Sequence, residues 1–132
     1  MKILQDLNVD LHTHSTASDG SLSPSQLVFR AIENGVDILA LTDHDTVSGI
    51  AEGLEAAKGT GLTLIPGIEI STMWGGSCIH VVGLDIQFNN PNLKEALLQI
   101  QKGRFQRAER INLALIKAGL PSMLERALSI SG

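Results

Sequence analysis

Short apolar runs alternate with segments of helical periodicity along most of the chain. The predicted strands are 9–14, 37–42, 62–71 and 79–84. Each is short and largely apolar, as buried strands are, and the third contains Pro66-Gly67, which predicts an interruption. Strands that alternate with helices are typical of βα units on a parallel sheet. The pattern therefore predicts an α/β fold.

Two helices are predicted between the first three strands. Ser23 precedes a proline and is followed three residues later by Gln26, which predicts an N-cap with a capping box. Gly35 marks the end of this first helix. A second helix is predicted from the apolar spacing within 47–57, and Gly59 closes it.

A long helical pattern follows the fourth strand. It starts after Asn90, continues to about Ala118, and contains Gly103 as a candidate division into two helices. Residues 122–132 show no clear element. The second half of the chain is therefore predicted to be helical.

Composition limits the class of protein. The 132 residues suit one modest domain, and no apolar run reaches the ~20 residues that a membrane span needs. Residues 1–6 lack the apolar core of a signal peptide, and the single Cys78 excludes an internal disulfide framework. We therefore expect a cytoplasmic protein with no membrane partner.

Charge is distributed unevenly along the chain. Three basic and eleven acidic residues give 1–93 a net charge of −8, whereas seven basic and three acidic residues give 94–132 a net charge of +4. Arg104, Arg107 and Arg110 recur at every third position of the long helix. They are candidates for binding phosphate, and the alternative is a solvated helix face paired with nearby glutamates.

The four histidines all lie in predicted strands or just beyond them. His12 and His14 alternate across Thr13, so a strand directs both imidazoles to the same side. His44 follows the second strand, and His80 lies within the fourth. Taken singly, His80 could be an ordinary core histidine and His44 part of a polar surface turn.

Two carboxylates extend this group. Asp19 follows the first strand in a turn, and Glu69 lies inside the apolar third strand, where a carboxylate is costly unless it is paired or binds a metal. Loops at the carboxyl ends of parallel strands converge on one face. Imidazoles and carboxylates without thiolates suit Mn, Zn or Fe, and Glu69 can bridge two ions. The combination predicts a multinuclear metal centre.

Four strings of residues together resemble the PHP (polymerase and histidinol phosphatase) family, in order and spacing, over residues 7 to about 119. The strings are Asp10-Leu11-His12-Thr13-His14-Ser15, Thr42-Asp43-His44-Asp45, Pro66-Gly67-Ile68-Glu69-Ile70-Ser71 and Ile79-His80-Val81-Val82-Gly83-Leu84. The chain is most similar to the TrpH-type branch. That branch includes 3′,5′-nucleoside bisphosphate phosphatases and an exoribonuclease that trims RNA from its 5′ end.

The resemblance implies a distorted (βα)7 barrel with up to three divalent metals, Mn²⁺ first and Zn²⁺ or Fe²⁺ as alternatives. The implied ligands are His12, His14 and Glu69 for one metal, Glu69 and His80 for the second, and Asp19 with His44 for the third. Asp43 is expected to serve catalysis by orienting a ligand rather than by binding metal. Arg104 and Arg107 are expected to bind substrate, since this region leads into a capping insertion in that branch.

The implied activity is a metal-dependent phosphoesterase in which activated water attacks phosphorus. Its expected substrates are nucleotides, such as 3′,5′-nucleoside bisphosphates, or short RNA, and no DNA partner is expected. An amidohydrolase-like metal hydrolase is one alternative, although neither Lys2 nor Lys58 lies in a predicted strand. A non-catalytic metal-binding PHP module is the other.

The chain departs from the family pattern beyond Asp85, where neither His nor Asp occurs. The family continues with a further His and an Asp-x-His, and a complete barrel needs ~200 residues. We therefore expect the N-terminal portion of a truncated barrel, with 1–90 as its metal-binding half and 91–132 as the start of the capping insertion. The missing C-terminal half is then a partner, and the chain alone is expected to be weakly active or inactive.

Overall fold

A computed structural model describes residues 7–131, so the predicted absence of a signal peptide in 1–6 lies outside the described residues. Strands and helices alternate in its first part. The elements are β1 (Val9–Thr13), α1 (Pro24–Glu33), β2 (Ile38–Leu41), α2 (Ile50–Ala57), β3 (Thr63–Trp74), β4 (Ser77–Leu84), α3 (Pro91–Lys117) and α4 (Leu124–Ser131). The predicted α/β class agrees with this order.

One sheet contains the four described strands in the order β1-β2-β3-β4. The pairs β1–β2 and β2–β3 are parallel, as predicted, but β4 is antiparallel to β3. The expectation of a wholly parallel sheet is therefore wrong for β4. Gly75 and Gly76, with φ of +56° and +84°, form a two-residue turn of the kind that joins hairpin strands.

β3 is a continuous strand of twelve residues, so the predicted interruption at Pro66-Gly67 is wrong. β2 pairs with β3 as far as Pro66, and β4 pairs with it from Gly67 onward. The proline therefore lies where the strand passes from one partner to the other. A Cβ on Gly67 would lie 2.7 Å from Thr42 Cγ2 and 3.0 Å from the Leu41 carbonyl oxygen, so only glycine fits this crossing.

The hydrophobic core lies between the parallel strands and helices α1 and α2. Leu39, Ala40 and Leu41 of β2 are at most 2% exposed, as expected for the central strand of a parallel sheet. The remaining core residues are Val28, Ala31, Ile50, Ala57, Leu62 and Leu64. The packing of both helices on one side holds the carboxyl ends of β1 and β2 in fixed positions.

The predicted start of α1 is confirmed in detail. Ser23 Oγ accepts a hydrogen bond from the Gln26 backbone nitrogen at 3.2 Å. The Ser23 backbone nitrogen donates to Gln26 Oε1 at 3.0 Å, which completes the capping box. Gly35 follows the helix with φ of +71°, as a helix stop does.

The helical second half differs from the prediction in two places. α3 runs without a break through Gly103, where an added Cβ would have no atom within 4 Å. α4 occupies residues for which no element was predicted, and Asn112 Oδ1 of α3 accepts from the Met123 backbone nitrogen just before it. Within the described part of the chain, no helix is long and apolar enough to cross a membrane.

Candidate metal centre

Glu69 is the centre of the polar cluster at the end of the parallel strands. Its side chain is 7% exposed, because β3 lies between β2 and β4. Glu69 Oε2 lies 2.8 Å from His12 Nε2 and 3.0 Å from His14 Nε2. Glu69 Oε1 lies 3.0 Å from His80 Nδ1, on the neighbouring strand β4. One carboxylate thus joins imidazoles from two other parts of the sheet.

Asp19 and His44 extend the cluster on the side of His14. Asp19 Oδ1 lies 3.3 Å from His14 Nδ1, and Asp19 Oδ2 lies 3.6 Å from His44 Nε2. His44 Nδ1 lies 3.6 Å from Glu69 Oε2. The loop after β1 therefore meets His14 and His44, and His44 in turn lies next to the Glu69 carboxylate.

All six residues predicted as metal ligands come together in three overlapping groups. Within each group, ligand atoms lie within 4.8 Å of one another. The groups are His12, His14 and Glu69; His14, Asp19 and His44; and His44, Glu69 and His80. The first group has the same members as the predicted set for one metal, and Glu69 belongs to two of the groups. The assignment of each residue to an ion stays a prediction.

The donor atoms fit divalent metal ions. Successive imidazole rings pack with centroids 4.5–5.1 Å apart, so four histidines surround one shared carboxylate. His14 Nδ1 is buried and makes no hydrogen bond among the described residues, since the Asp19 oxygen at 3.3 Å forms an ion-pair contact without hydrogen-bond geometry. A buried ring nitrogen without a partner is costly, and coordination to a metal removes that cost. Nitrogen and carboxylate donors without thiolate suit Mn, Zn or Fe.

The electrostatics of the cluster keep Glu69 ionised. Burial by itself raises the pKa of Glu69. Hydrogen bonds from His12 and His80, together with the electrostatic interactions of Glu69 with His44 and His12, outweigh burial, so that the pKa of Glu69 lies below its ordinary value. The carboxylate is therefore a negatively charged ligand over the neutral pH range.

Asp43, predicted to be catalytic, lies outside the three groups. Its carboxylate is 2% exposed and accepts three hydrogen bonds from the loop that follows β1. The donors are the Ser15 backbone nitrogen at 2.7 Å, Ser15 Oγ at 2.7 Å and Ser18 Oγ at 2.6 Å. Asp43 holds the loop that carries Asp19, since its oxygens are directed to this loop, and its expected role in orienting a ligand stays a prediction.

Asp45 is a residue of the site that the sequence analysis missed. It is 1% exposed, has φ of +53°, and accepts from the Ser71 backbone nitrogen at 2.7 Å. Arg104 Nη1 donates to the other carboxylate oxygen of Asp45 at 2.8 Å. The only available signal was a second aspartate beside His44, because a contact across 59 positions has no local pattern.

Arg104 and Arg107, the predicted substrate-binding residues, differ in their surroundings. Arg104 contacts Asp45 while 59% of its side chain remains exposed. Arg107 lies one turn further along α3 and is exposed. The structure therefore pairs Arg104 with the buried carboxylate of Asp45, the residue after His44, and leaves Arg107 on the surface of the same helix.

Comparison with known proteins identifies similar chains. A 5′-3′ exoribonuclease of Haemophilus influenzae is 52% identical over 123 residues, which cover 92% of this chain and 44% of that protein. A 3′,5′-nucleoside bisphosphate phosphatase of Chromobacterium violaceum is 40% identical over 121 residues, which cover 92% of this chain and 42% of that protein. The chain thus spans less than half the length of these relatives.

Two solved structures share the fold. One is described as an amidohydrolase from Chromobacterium violaceum with bound sulfate and no metal; its TM-score is 0.84 at 39% identity, covering 94% of this chain and 44% of that one. The other comes from Bifidobacterium adolescentis and is assigned as a metal-dependent phosphoesterase. Its TM-score is 0.76 at 28% identity, and the match covers 85% of this chain and 39% of that one. These matches confirm the predicted fold, that of a part of a PHP barrel.

The sequence profile of the PHP domain matches residues 10–119. That range includes all six residues of the metal centre, the whole hairpin of β3 and β4, and α3. The chain therefore belongs to the PHP domain family.

Proposed function

We propose that this chain forms the metal-binding part of a phosphoesterase that hydrolyses phosphate esters of nucleotides or short RNA. The observation that carries the proposal is the buried carboxylate of Glu69, which four imidazoles surround and which belongs to two of the three overlapping ligand groups. Relatives at 52% and 40% identity carry the names of an exoribonuclease and a nucleoside bisphosphate phosphatase. Both activities cleave a phosphate ester with water.

The centre is proposed to hold up to three divalent ions, Mn²⁺ first and Zn²⁺ or Fe²⁺ as alternatives. His12, His14 and Glu69 would hold one ion, Glu69 and His80 a second, and Asp19 with His44 a third. Such ions supply positive charge for phosphate oxygens and make water a stronger nucleophile at neutral pH.

The residues of the cluster differ in exposure and in what they position. His12 and His80 are about half exposed, so this side of the cluster is open to a substrate, whereas Glu69 is buried beneath it. Asp43 holds the loop of Asp19 through its bonds to Ser15 and Ser18. The cluster is therefore open to solvent on the side of His12 and His80 and closed on the side of Glu69.

Arg104 and Arg107 are proposed to bind phosphate oxygens of the substrate. A guanidinium offers planar, paired donors that match two oxygens of one phosphate. Arg104 is fixed near the centre by Asp45, yet most of its side chain remains exposed. A bound nucleotide would then extend from the metal centre along α3.

The organisation of the whole protein is part of the proposal. Residues 1–90 would be one half of the barrel, and 91–132 the start of a segment that caps the site. A C-terminal barrel half, as a partner, would supply the His and Asp-x-His ligands that the sequence lacks beyond Asp85.

The cytoplasm is the proposed location of the protein. The single cysteine, Cys78, is a free and exposed thiol, which suits the reducing cytoplasm.

An amidohydrolase-type reaction has less support from this site. Enzymes of that kind often use a carboxylated lysine in a strand, and Lys58 instead follows the end of α2 with an exposed side chain. Lys2 lies outside the described residues.

The proposal is tested by phosphate release from adenosine 3′,5′-bisphosphate and from a short 5′-phosphorylated RNA with Mn²⁺. We expect slow release by the chain and none by the variant His12→Ala/His14→Ala. Glu33→Gln, on the exposed surface of α1, is the control and should not change release. Equal release by the chain and the histidine variant would contradict a catalytic metal centre.

Calorimetric titration with Mn²⁺ distinguishes the enzyme from a non-catalytic module. We expect binding that Glu69→Gln weakens by at least ~100-fold, since even partners of metal ligands cost ~10–100-fold in affinity when they are lost. Binding of Mn²⁺ without release from either substrate would favour the metal-binding module. No binding at all would refute the metal centre.

A further inference from the structure

We propose that Asp45 is a positioning residue that couples helix α3 to the metal centre through Arg104 and Gln101. The inference rests on the metal centre of the proposed function, but not on which substrate is hydrolysed. It assigns a role to a buried acidic residue that is not itself in any of the three ligand groups.

The backbone of Asp45 is attached to two of the metal-ligating residues. It directly follows His44, and its backbone nitrogen donates to the Glu69 carbonyl oxygen at 3.0 Å. Its φ of +53° lies in the left-handed region, which aspartate adopts more readily than most residues other than glycine because its short side chain can form local hydrogen bonds. A shift of Asp45 would therefore move the backbone of both His44 and Glu69.

The carboxylate of Asp45 extends this attachment to β3. Asp45 Oδ1 accepts from the Ser71 backbone nitrogen at 2.7 Å, two residues beyond Glu69. Ser71 is also the cross-strand partner of His80. One side chain therefore fixes the strand segment that carries Glu69 and faces His80.

The opposite side of Asp45 holds α3. Arg104 Nη1 donates to Asp45 Oδ2 at 2.8 Å, and Gln101 Nε2 donates to the Asp45 carbonyl oxygen at 2.9 Å. Asp45 is 1% exposed, so its charge depends on Arg104 for compensation. Gln101 and Arg104 thus both bind Asp45 from α3.

The apolar contacts of α3 here are few, so these polar contacts determine its position. Leu97 is the one residue of α3 that is buried. Beside it a cavity of about 430 Å³ separates α3 from the start of α2, with Val47, Phe88 and Gln101 among its lining residues. Because this interface is not filled by side chains, loss of Arg104 would leave α3 weakly held.

Coupling between two sites acts equally in both directions. If Asp45 transmits the position of α3 to the ligands, metal binding must reduce the motion of α3, and release of α3 must weaken metal binding. The coupling needs no contact between Arg104 and the metal.

The experiment compares the chain with Arg104→Gln, which removes the cation, and Arg104→Lys, which retains a charge for Asp45. Lys102→Gln is the matched control, because it removes an exposed cation two residues away on the same helix. Hydrogen exchange of α3 peptides is followed by mass spectrometry with and without Mn²⁺, and Mn²⁺ affinity is measured by calorimetry.

We expect Mn²⁺ to slow exchange in α3 of the chain and of Lys102→Gln, and not of Arg104→Gln. Mn²⁺ affinity should fall by about 10-fold in Arg104→Gln, the loss typical of a partner of metal ligands, with partial recovery in Arg104→Lys. Asp45→Asn should reproduce the loss of coupling, because the amide cannot compensate the charge of Arg104.

Three results would overturn the inference. They are Mn²⁺ binding with no change of exchange in α3, the same Mn²⁺-dependent slowing in Arg104→Gln as in the chain, and no Mn²⁺ binding at all. The first two leave the proposed function intact. Conversely, coupled exchange without phosphate release would support the inference and contradict hydrolysis by this chain alone.

Discussion

Three acidic residues near the metal centre, Asp43, Asp45 and Glu69, are buried, with at most 6% of each whole residue exposed. Their partners differ: serine hydroxyls and a backbone nitrogen for Asp43, an arginine for Asp45, and imidazoles for Glu69. A buried carboxylate is stable only when such partners satisfy it. Each of these residues therefore has a separate role, although Asp43 and Asp45 are only two positions apart.

The role of Asp43 can be tested by Asp43→Asn. The amide oxygen can replace Oδ1, which accepts from the Ser15 backbone nitrogen and from Ser18 Oγ, but the amide nitrogen cannot accept from Ser15 Oγ as Oδ2 does. The free energy of unfolding should therefore fall by about 2 kcal/mol. Urea denaturation measures this change. Asp85→Asn is the control: Asp85 is exposed with φ of +53°, a conformation that Asn tolerates, and its effect should be below about 0.5 kcal/mol. Equal effects would contradict a positioning role for Asp43.

At the scale of single elements, β3 determines the geometry of the site. It pairs with β2 in its first part and with β4 in its second, and Glu69 lies just beyond the change of partner. Gly67 makes the change feasible because backbone atoms of two neighbouring strands approach within about 3 Å of its missing Cβ.

Gly67→Ala should therefore lower the free energy of unfolding by about 2 kcal/mol, as overpacking against backbone does. Gly103→Ala is a matched change in open space within α3 and should raise it by about 0.5–1 kcal/mol. Thermal and urea unfolding of both variants give the comparison. Destabilisation by Gly103→Ala, or tolerance of Gly67→Ala, would contradict the described geometry.

The contact between α1 and α2 should depend on pH through Glu52. Hydrogen bonds from the Ser25 hydroxyl and backbone nitrogen, at 2.7 and 3.0 Å, hold the pKa of Glu52 below its ordinary value of 4.5. A lowered pKa in the folded state means that this contribution is present above pH 4.5 and is lost as pH falls through the folded-state pKa.

The stability difference between the chain and Glu52→Gln should accordingly be constant near neutral pH and shrink below pH 4.5. Urea denaturation at a series of pH values measures it, and Glu33→Gln serves as a control on the neighbouring helix. A difference that grows on acidification would have the wrong sign for this contact.

Local patterns in the sequence were sufficient for the elements that local chemistry determines. Ser23 and Gln26 define the start of α1, and the spacing of His12 and His14 predicted that both face one cluster. The direction of β4 and the continuity of β3 were missed, since they depend on which strands pair around Pro66. No local pattern could reveal that a helix residue, Arg104, compensates the charge of Asp45.

For the molecule as a whole, apolar side chains of the β3–β4 hairpin and of α3 are strongly exposed. Trp74 at the hairpin turn is 78% exposed, and Val81 in the middle of β4 is 51% exposed. Contiguous exposed apolar surface is typical of an interface. It is also a hazard for aggregation where strands are unpaired on one side, as β1 and β4 are in the described sheet.

We therefore expect the chain to self-associate at micromolar concentration, and Val81→Thr to reduce this association while retaining a residue suited to a strand. Sedimentation velocity over a range of concentrations is the measurement. Phe29→Ser, at an exposed apolar position on α1, is the control and should leave association unchanged. A monomer at all concentrations would show that the exposed apolar surface of the β3–β4 hairpin does not drive self-association.

The six residues of the metal centre come from four separate parts of the chain, between His12 and His80, that meet only when the sheet has formed. An ion therefore binds the folded chain far better than the unfolded one, and by mass action it stabilises the fold by ~2.7 kcal/mol at one hundred times its dissociation constant. Metal supply then controls the survival of the protein as well as its chemistry: in a metal-starved cell, more of the chain is unfolded and accessible to proteases.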